Sequence, residues 1–411
     1  MRYNRAMSRS VGNADCEWGP AQKVNVDQVG EMEKPILDRL HKRIVGQEEA
    51  VCALAQAVAQ RELFGANRGG RPVACFLFAG PTGVGKTELA LALAEALHGV
   101  PSVLRIDCAE FQMRHEVAKL IGAPPGFIGH RETRPILTDQ ALAAVTSNRS
   151  PIQVVLFDEI EKADDTLYKL LLGVLDGGTL KLGDGSRVDF RNAIIIFTSN
   201  LGSADVRERT NSRHFGFSRP DAEVGPRDNR PIYIRAVGKH FSPEFINRLD
   251  KTITFESLKP EQVRQIMQLE IGRLNCRSAY PDSSMDLRTD PDISKLSREV
   301  ENSPGKEKGF LVVLDESAEE YLLKEGYSEA YGAREMRRVL EEEVFQKGVR
   351  AIDNKSLRRG SLLGVSWNGE RLEYSAYEVA TGTDLTAARI WMRTIGDMIG
   401  RRSAAAAAAS T

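Results

Sequence analysis

The segment GPTGVGKT at residues 80–87 constrains the fold of this chain more than any other stretch. It fits the pattern G-x-x-x-x-G-K-[ST] at every defined position. An apolar run at residues 74–78 precedes it, and a strongly helix-forming run at residues 88–97 follows it. A buried strand, a glycine-rich turn and the start of a helix are the setting in which this pattern holds phosphate. The segment therefore predicts a nucleoside triphosphate site in a protein of the α/β class.

The residue types in this segment suit that task. Glycine lets backbone N–H groups close around a phosphate. The Lys86 ammonium would reach the β- and γ-phosphates, and the Thr87 hydroxyl would ligate magnesium. We therefore expect the whole segment to bind the nucleotide: Gly80, Pro81, Thr82, Gly83, Val84, Gly85, Lys86 and Thr87.

Composition narrows the class of protein. The chain has 411 residues, enough for two or three domains, and its 42% hydrophobic and 27% charged residues are ordinary for a soluble globular protein. A net charge of -1 argues against a general nucleic-acid binder, and no apolar run reaches the length of a membrane span. The five cysteines are scattered, which indicates buried free thiols in a reducing compartment and hence a cytoplasmic protein. We expect neither nucleic acid nor a membrane among its partners.

Apolar runs without alternation predict strands of a parallel sheet that is covered by helices on both faces. These runs are residues 74–78, 152–157 and 193–197, and residues 102–107 form a further strand. Residues 201–240 are polar with several glycines and prolines, and we expect little regular structure there. Helices are predicted at residues 34–44, 48–64, 88–97, 137–147, 166–175, 261–275, 317–325 and 335–353. The other predicted elements are a strand at residues 310–314 and hairpins at residues 176–190 and 362–377.

Polar residues follow two of the predicted strands, where ligands bind in a parallel α/β sheet. Asp158 suits magnesium, held together with Thr87 and phosphate oxygens. Glu159 suits the orientation and polarisation of an attacking water, and Asn200 can position that water or touch the γ-phosphate. Each residue alone is weak evidence. In this order after a phosphate loop, they predict hydrolysis and not binding alone.

These motifs resemble those of the AAA+ ATPases, with Walker A at residues 80–87, Walker B at residues 154–159 and Asn200 as first sensor. Further segments resemble the second ATPase module of the Clp chaperone unfoldases: IVGQ at 44–47, LIGAPPGFIG at 120–129, DEIEKA at 158–163, VDFRN at 188–192 and FSPEFINRLD at 241–250. GAR at residues 332–334 matches their second sensor. The likeness runs from about residue 44 to residue 377.

The resemblance implies ATP and Mg²⁺ as cofactors and assigns further site residues. Ile44 and Val45 would line the adenine pocket. Arg248 would be the arginine finger that reaches the γ-phosphate of a neighbouring subunit, and Arg334 would touch nucleotide within its own subunit. The expected assembly is a homo-oligomeric ring, hexameric by resemblance, in which Phe127 grips protein substrates that are threaded through the pore.

The resemblance also divides the chain. Residues 1–33 would be a flexible N-terminal arm, and residues 34–255 the large α/β ATPase domain. Residues 256–380 would be a mainly helical C-terminal lid domain with a small β element and a polar insertion at 277–309. Residues 381–411 would be a C-terminal helix and a low-complexity tail. With one ATPase module in the sequence, the resemblance implies a single ring.

Departures from the family pattern leave alternatives open. The pore loop continues after Phe127 as the basic segment HRETR, which puts the usual substrate preference in doubt. The first reading is an ATP-dependent unfoldase or remodelling chaperone. A second hypothesis is an ATPase that serves a single partner complex. In a variant of it, the chain is the regulatory subunit of a Clp-type peptidase, which would dock on the segment HFGF at 214–217. A third is a scaffold that binds ATP without hydrolysing it.

Overall fold

The computed structural model describes residues 29–65, 69–122, 135–211, 229–279, 310–327, 332–358 and 361–377. Several sequence predictions lie outside these ranges: Phe127 and its pore loop, the docking segment 214–217, and the helix and tail after residue 380. Most of the N-terminal arm and of the polar insertion also lie outside them.

A five-stranded parallel sheet forms the centre of the N-terminal part of the chain, with the strand order β2–β3–β6–β1–β7. Its strands are β1 Ala74–Ala79, β2 Leu104–Asp107, β3 Gln153–Asp158, β6 Ala193–Ser199 and β7 Lys251–Thr254. A separate antiparallel hairpin consists of β4 Thr179–Lys181 and β5 Arg187–Asp189. The sheet and the hairpin confirm the predicted architecture, although the short strand β7 was not expected.

The central strands are buried on both faces, which explains their unbroken apolar runs. Along β1, Phe76 and Phe78 join a core cluster on one face, while Cys75 and Leu77 join a second cluster on the other. This division follows from the period-two alternation of side chains in a strand. Parallel sheets need such cover because their crossover connections place helices on both faces.

Helices cover both faces of the sheet. They are α1 Lys34–His41, α2 Glu48–Phe64, α3 Lys86–His98, α4 Arg114–Ile121, α5 Asp139–Ala144, α6 Asp165–Gly177, α7 Ser203–Asn211, α8 Arg230–His240 and α9 Pro243–Ile246. The expectation of little structure over residues 201–240 is wrong for α7 and α8. Helix α8 accommodates Pro231 in its first turn, where no backbone N–H is required, and it buries Tyr233 and Val237.

The C-terminal region is mainly helical with a small sheet, as predicted. Its helices are α10 Pro260–Ala279, α11 Glu316–Gly326, α12 Ala333–Val339 and α13 Gln346–Asp353, with a π-helical turn at Leu340–Phe345 between the last two. Its strands are β8 Leu311–Leu314, β9 Leu362–Trp367 and β10 Leu372–Tyr377, in the order β10–β9–β8. Helix α10 extends through Ala279, so the first three residues of the expected insertion are helical.

The C-terminal region shares its core with one face of the large sheet. Val263, Met267 and Met336 belong to the same buried cluster as Phe76 and Leu89. This shared core holds α10 and α12 against the face that α3 covers, so a cleft forms where they meet the ends of the strands.

No helix in the described ranges has both the length and the hydropathy that a bilayer-spanning segment needs. Cys75 and Cys108 are buried free thiols, as expected. The prediction is wrong for Cys52, which is exposed on α2.

Candidate active site

A cleft of about 460 Å³ lies at the carboxyl ends of β1, β3 and β6, beneath α10 and α12. Its walls include most of the predicted site residues: Ile44, Val45, Thr82, Gly83, Val84, Gly85, Lys86, Thr87, Asp158, Glu159, Asn200 and Arg334. Gly80 and Pro81 lie behind it, where their carbonyl groups contact Lys86. Arg248 is not part of the cleft wall. A volume of this size is typical of small-molecule and cofactor sites.

The three glycines of the phosphate loop have backbone conformations that other residues avoid. Gly83 has a φ of 78° and Gly85 a φ of 104°. Gly80 has a φ of 156°, and a Cβ atom there would in addition lie 2.7 Å from the Phe255 carbonyl oxygen. The loop thus curls back on itself and ends at Lys86, where α3 begins. The N-terminus of α3 therefore faces the cleft with its unpaired N–H groups, which favours an anion.

Lys86 is the central cation of the cleft. Its ammonium donates to the Gly80 oxygen at 2.6 Å, the Pro81 oxygen at 2.7 Å and Asn200 Oδ1 at 2.8 Å. The residue is only 8% exposed. Burial disfavours the charged ammonium and lowers the pKa of Lys86 to about 8, although Glu161, Asp158 and Glu159 act in the opposite direction.

Asp158 and Thr87 face each other across the end of β3. The Thr87 hydroxyl lies 3.2 Å from Asp158 Oδ1. Sequence reasoning missed two further partners of this carboxylate: the Thr198 hydroxyl donates to Oδ1, and Arg105 Nη2 lies 2.6 Å from Oδ2. Thr198 could have been found from its place at the end of β6, two residues before Asn200. No comparable sequence feature marks Arg105, because its contact with Asp158 depends on the pairing of β2 with β3.

Glu159 is held in an uncommon backbone conformation, with a φ of 55°. Such conformations persist at functional sites when their surroundings enforce them. Here the Glu159 N–H donates to Thr198 Oγ1 at 3.0 Å, and the side chain accepts from Asn200 Nδ2 at 3.2 Å and pairs with Lys162. The Asn200 N–H in turn donates to Glu161 Oε1 at 2.9 Å. Glu159 and Asn200 thus form one hydrogen-bonded cluster with Lys86.

The predicted base pocket is a turn between α1 and α2. Ile44 is buried, and Ile44 and Val45 line the cleft. The Gln47 side chain fixes this turn, because it donates to the Glu256 oxygen at 3.0 Å and accepts from the Glu256 N–H at 3.2 Å. The turn is thereby tied to the chain that leaves β7.

The second-sensor segment packs directly on the phosphate loop. The Ala333 N–H donates to the Gly83 oxygen at 3.0 Å. A Cβ atom on Gly332, whose φ is 57°, would lie 2.6 Å from that same oxygen. Only glycine permits this close approach, which brings Arg334 to the cleft wall.

Arg248 lies apart from these residues. Its guanidinium pairs with Asp176 and with Glu244, whose Oε1 is 2.9 Å from Nη1. Its carbonyl oxygen accepts from Arg71 Nη2 at 2.6 Å. The structure therefore does not bring Arg248 to the cleft of its own chain.

The donor set suits a nucleotide and a hard divalent cation. Thr87 and Asp158 offer oxygen ligands only, which magnesium prefers, and a cation held by them needs further oxygens from phosphate or water. Within the described ranges, no group of three or more His, Cys, Asp or Glu side chains could hold a metal ion by itself. The glycine-lined loop and buried Lys86 supply the complementary site for phosphate.

Family models match two parts of the chain. One, described as "AAA domain (Cdc48 subfamily)", matches residues 71–252. The other, described as "C-terminal, D2-small domain, of ClpB protein", matches residues 292–363. The second match begins inside the segment that we interpret above as a polar insertion. Together the two matches cover more than half of the chain.

Sequence comparison with known proteins gives the same family. The chain is 38% identical over 336 residues to chaperone protein ClpB of Gloeobacter violaceus. The aligned region covers 81% of this chain and 33% of that protein. It is 33% identical over 350 residues to ClpC, the ATP-dependent Clp protease ATP-binding subunit of Staphylococcus epidermidis. Here the aligned region covers 85% of this chain and 38% of that protein. The chain thus spans about a third of the length of these curated relatives.

A solved structure shares the fold. It is a closed-state cryo-EM reconstruction of Hsp104 with ATPγS and FITC casein, with a TM-score of 0.63 and 26% sequence identity. The likeness covers 84% of this chain and 52% of that chain. Because the family models and the relatives match the same segments that build the sheet and the cleft, the chain belongs to the Clp family of AAA+ ATPases, and it resembles their second ATPase module.

Proposed function

We propose that this chain is an ATP-dependent protein unfoldase or remodelling chaperone. The observation that carries the proposal is the hydrogen-bonded cluster of Lys86, Glu159 and Asn200 at the strand ends, beside Asp158 and Thr87. A site that only bound ATP would need the phosphate loop but not a carboxylate held by an amide next to it. The cluster therefore supports hydrolysis, and it counts against the scaffold alternative.

Phosphoryl transfer depends on positioning and on neutralising negative charge. Lys86 would bind the β- and γ-phosphates, exchanging its contacts with Gly80 and Pro81 for phosphate oxygens. Glu159 would orient and polarise the attacking water, with Asn200 fixing the carboxylate. Thr87 and Asp158 would hold Mg²⁺, which when bound neutralises charge on the phosphates.

The other assigned residues complete a site that is shared between subunits. Ile44 and Val45 would bind adenine, and Arg334 would contact the nucleotide of its own subunit. Arg248 would reach the γ-phosphate of a neighbour in a ring, which we propose is a hexamer. We further propose that residues 34–255 form the large ATPase domain and residues 256–380 the lid domain.

Protein is the proposed substrate. The relatives include a protein named as a chaperone, and the Hsp104 reconstruction contains FITC casein. We propose that extended polypeptide is drawn through the ring past Phe127, which lies outside the described residues. An aromatic ring packs on almost any chain, so such a grip needs no sequence recognition. The buried free thiols of Cys75 and Cys108 support a reducing, cytoplasmic setting.

A substrate trap tests this proposal. Glu159→Gln keeps the size and hydrogen-bonding reach of the side chain, so it should hold ATP without turnover and retain clients. Unfolded casein is the probe, incubated with ATP and captured on the tagged variant. The control is Lys86→Ala, which should retain little casein. If Glu159→Gln with ATP captures no more casein than Lys86→Ala does, the unfoldase proposal is wrong.

The resemblance to ClpC favours a second candidate, the ATP-binding subunit of a Clp-type peptidase. The segment 214–217 would dock on the peptidase, with Phe217 as an apolar anchor. The test is degradation of an unfolded reporter by the cognate peptidase, with the parent chain or with Phe217→Ala. Stimulation by the parent that Phe217→Ala loses would support docking, and no stimulation by the parent would leave a free-standing remodeller.

A further inference from the structure

A continuous line of ion pairs joins the two sides of the cleft. Arg43 Nε donates to Glu88 Oε1 at 2.8 Å, and Arg273 Nη2 lies 3.2 Å from the same oxygen. Arg273 Nη1 also pairs with Glu270 Oε1 at 2.6 Å, and Arg337 Nη2 lies 2.7 Å from that oxygen. We call these five residues the cleft network. It runs from the segment after α1, through α3 and α10, to α12.

The members of the cleft network adjoin three predicted nucleotide contacts. Arg43 directly precedes the base-pocket residue Ile44, and Glu88 directly follows Thr87. Arg337 lies one helical turn after Arg334 on α12, on the same side of the helix. All five members line the cleft. The base pocket, the phosphate loop and the second sensor are therefore joined by charged side chains as well as by the backbone.

Burial strengthens the pairs among Arg43, Glu88, Glu270 and Arg273 relative to ordinary surface pairs, whereas the Arg337 side chain at the end of the network is 59% exposed. The side chains of Glu88 and Glu270 are 25% and 13% exposed, and those of Arg43 and Arg273 are 15% and 21% exposed. Burial alone would raise the pKa of Glu88, but Arg43 and Arg273 lower it below its usual range. Since partly buried charges are costly when unpaired, removing one member disturbs the others.

We infer that the cleft network couples the positions of α10 and α12 to the phosphate loop. Nucleotide binding at the loop and the approach of the second-sensor residue Arg334 to the nucleotide would then depend on each other. Glu270 and Arg273 are positioning residues in this scheme. They act through Glu88 on one side and Arg337 on the other. The inference rests on the proposed nucleotide site, and it adds a connection between its parts that the shared apolar core does not supply.

Double-mutant cycles test the coupling, because they isolate the interaction between two positions. The readout is the Kd of a fluorescent ATP analogue with Mg²⁺ on the full chain. The first cycle combines Glu88→Gln with Arg337→Met, two residues that the network connects through Arg273 and Glu270. The matched control combines Glu88→Gln with Arg338→Met, which removes the same charge from the same helix. Arg338 pairs instead with Glu335, at 2.8 Å.

We expect each network substitution to raise the Kd about three- to tenfold, and the double variant to raise it clearly less than the product of the two. The control cycle should be additive within about twofold. Repeating the first cycle in an Arg273→Met background should abolish the coupling. Coupling that persists there would reflect direct attraction between Glu88 and Arg337 and would overturn the relay.

Additivity in the first cycle, or equal coupling in the control cycle, would also overturn the inference. Thermal unfolding of each variant identifies any that fail to fold. If Glu88→Gln is one of them, Arg43→Met replaces it at the same end of the network, one residue further from Arg337. Arg43 also pairs with the buried Glu95, so thermal unfolding must show that this variant folds. A parent chain that does not bind the analogue would refute the proposed nucleotide site itself, whereas binding with additive cycles would refute the network alone.

Discussion

Lys86 carries its charge where burial disfavours it. Three acceptors surround the ammonium, and its pKa falls to about 8 because desolvation outweighs the nearby carboxylates. A phosphate brought to the loop would favour the charged form again. Protonation of Lys86 and nucleotide binding are therefore linked, and the linkage has a definite sign.

Nucleotide affinity should fall as pH rises above 8. Below that pH Lys86 is already protonated and affinity stays flat, whereas above it binding must take up a proton, with a limit of about tenfold per pH unit. Titration of a fluorescent ATP analogue between pH 7 and pH 9.5 measures the effect. The same lowered pKa affects the stability of the folded chain in a different way. Below pH 8 the buried charge of Lys86 destabilises the folded chain by its full amount, and this destabilisation shrinks as the pH rises towards 10.5. Constant affinity across this range in a folded protein would contradict the role of Lys86.

Motif spacing predicted residues that line the cleft, but not the residues that hold them in place. Lys86, Thr87, Asp158, Glu159 and Asn200 were found because their tasks fix both their type and their place after a strand. Three supports that reach across from a neighbouring strand or the turn after it were missed: Thr198 and Arg105 beside Asp158, and Glu161 beside Asn200. Contacts of this kind depend on strand order and register, which local sequence does not state.

At the scale of elements, the fit of α12 on the phosphate loop depends on one glycine. Gly332 combines a left-handed backbone with an approach that leaves no room for a side chain, because a Cβ atom would lie 2.6 Å from the Gly83 oxygen. Gly369, in the turn between β9 and β10, has a φ of 97° but open space around it. The two positions separate the effect of backbone conformation from the effect of contact.

Gly332→Ala should therefore weaken nucleotide binding, while Gly369→Ala should not. Both substitutions place a side chain on a backbone with a positive φ, which costs about 1–3 kcal/mol of stability. Only Gly332→Ala also pushes the second sensor away from the loop, and we expect its Kd for ATP to rise at least about tenfold. Calorimetric titration of both variants gives the comparison. Equal affinities would show that the α12 contact does not shape the cleft.

The strength of the apolar pattern decided which elements sequence could predict. Strands β1, β3 and β6 are buried along nearly their whole length, so their runs were unambiguous. Helix α8 buries two residues within a polar segment, and β7 buries only Ile253 and Thr254. Apolar patterns this short cannot be distinguished from the polar sequence around them. Tertiary packing supplies most of the stability of such elements.

At the scale of the whole molecule, Arg248, the proposed arginine finger, lies away from the cleft of its own chain. Asp176 and Glu244 hold its guanidinium away from the cleft of its own chain. We propose that it serves the cleft of another subunit, which requires that the chains assemble as a ring. Loss of an arginine finger costs about 10³ to 10⁵ in rate in GTPases.

Arg248→Ala should lose most ATPase activity while each chain keeps its affinity for ATP. Mixing subunits gives the decisive comparison. Lys86→Ala chains have an intact finger, and Arg248→Ala chains have an intact cleft, so interfaces between the two should recover activity. No recovery on mixing, or full hydrolysis by a monomer at any concentration, would exclude a finger that acts between subunits.

The proposed mechanism requires that the cleft binds ATP through Lys86 and hydrolyses it through Glu159. The direct measurement is ATP affinity and steady-state turnover, side by side, for the parent, Lys86→Ala and Glu159→Gln. We predict that Lys86→Ala loses binding, and that Glu159→Gln keeps the parent's affinity within a few-fold but loses about 10² to 10⁴ in turnover. ATP affinity in Lys86→Ala equal to that of the parent, or parental turnover in Glu159→Gln, would contradict it.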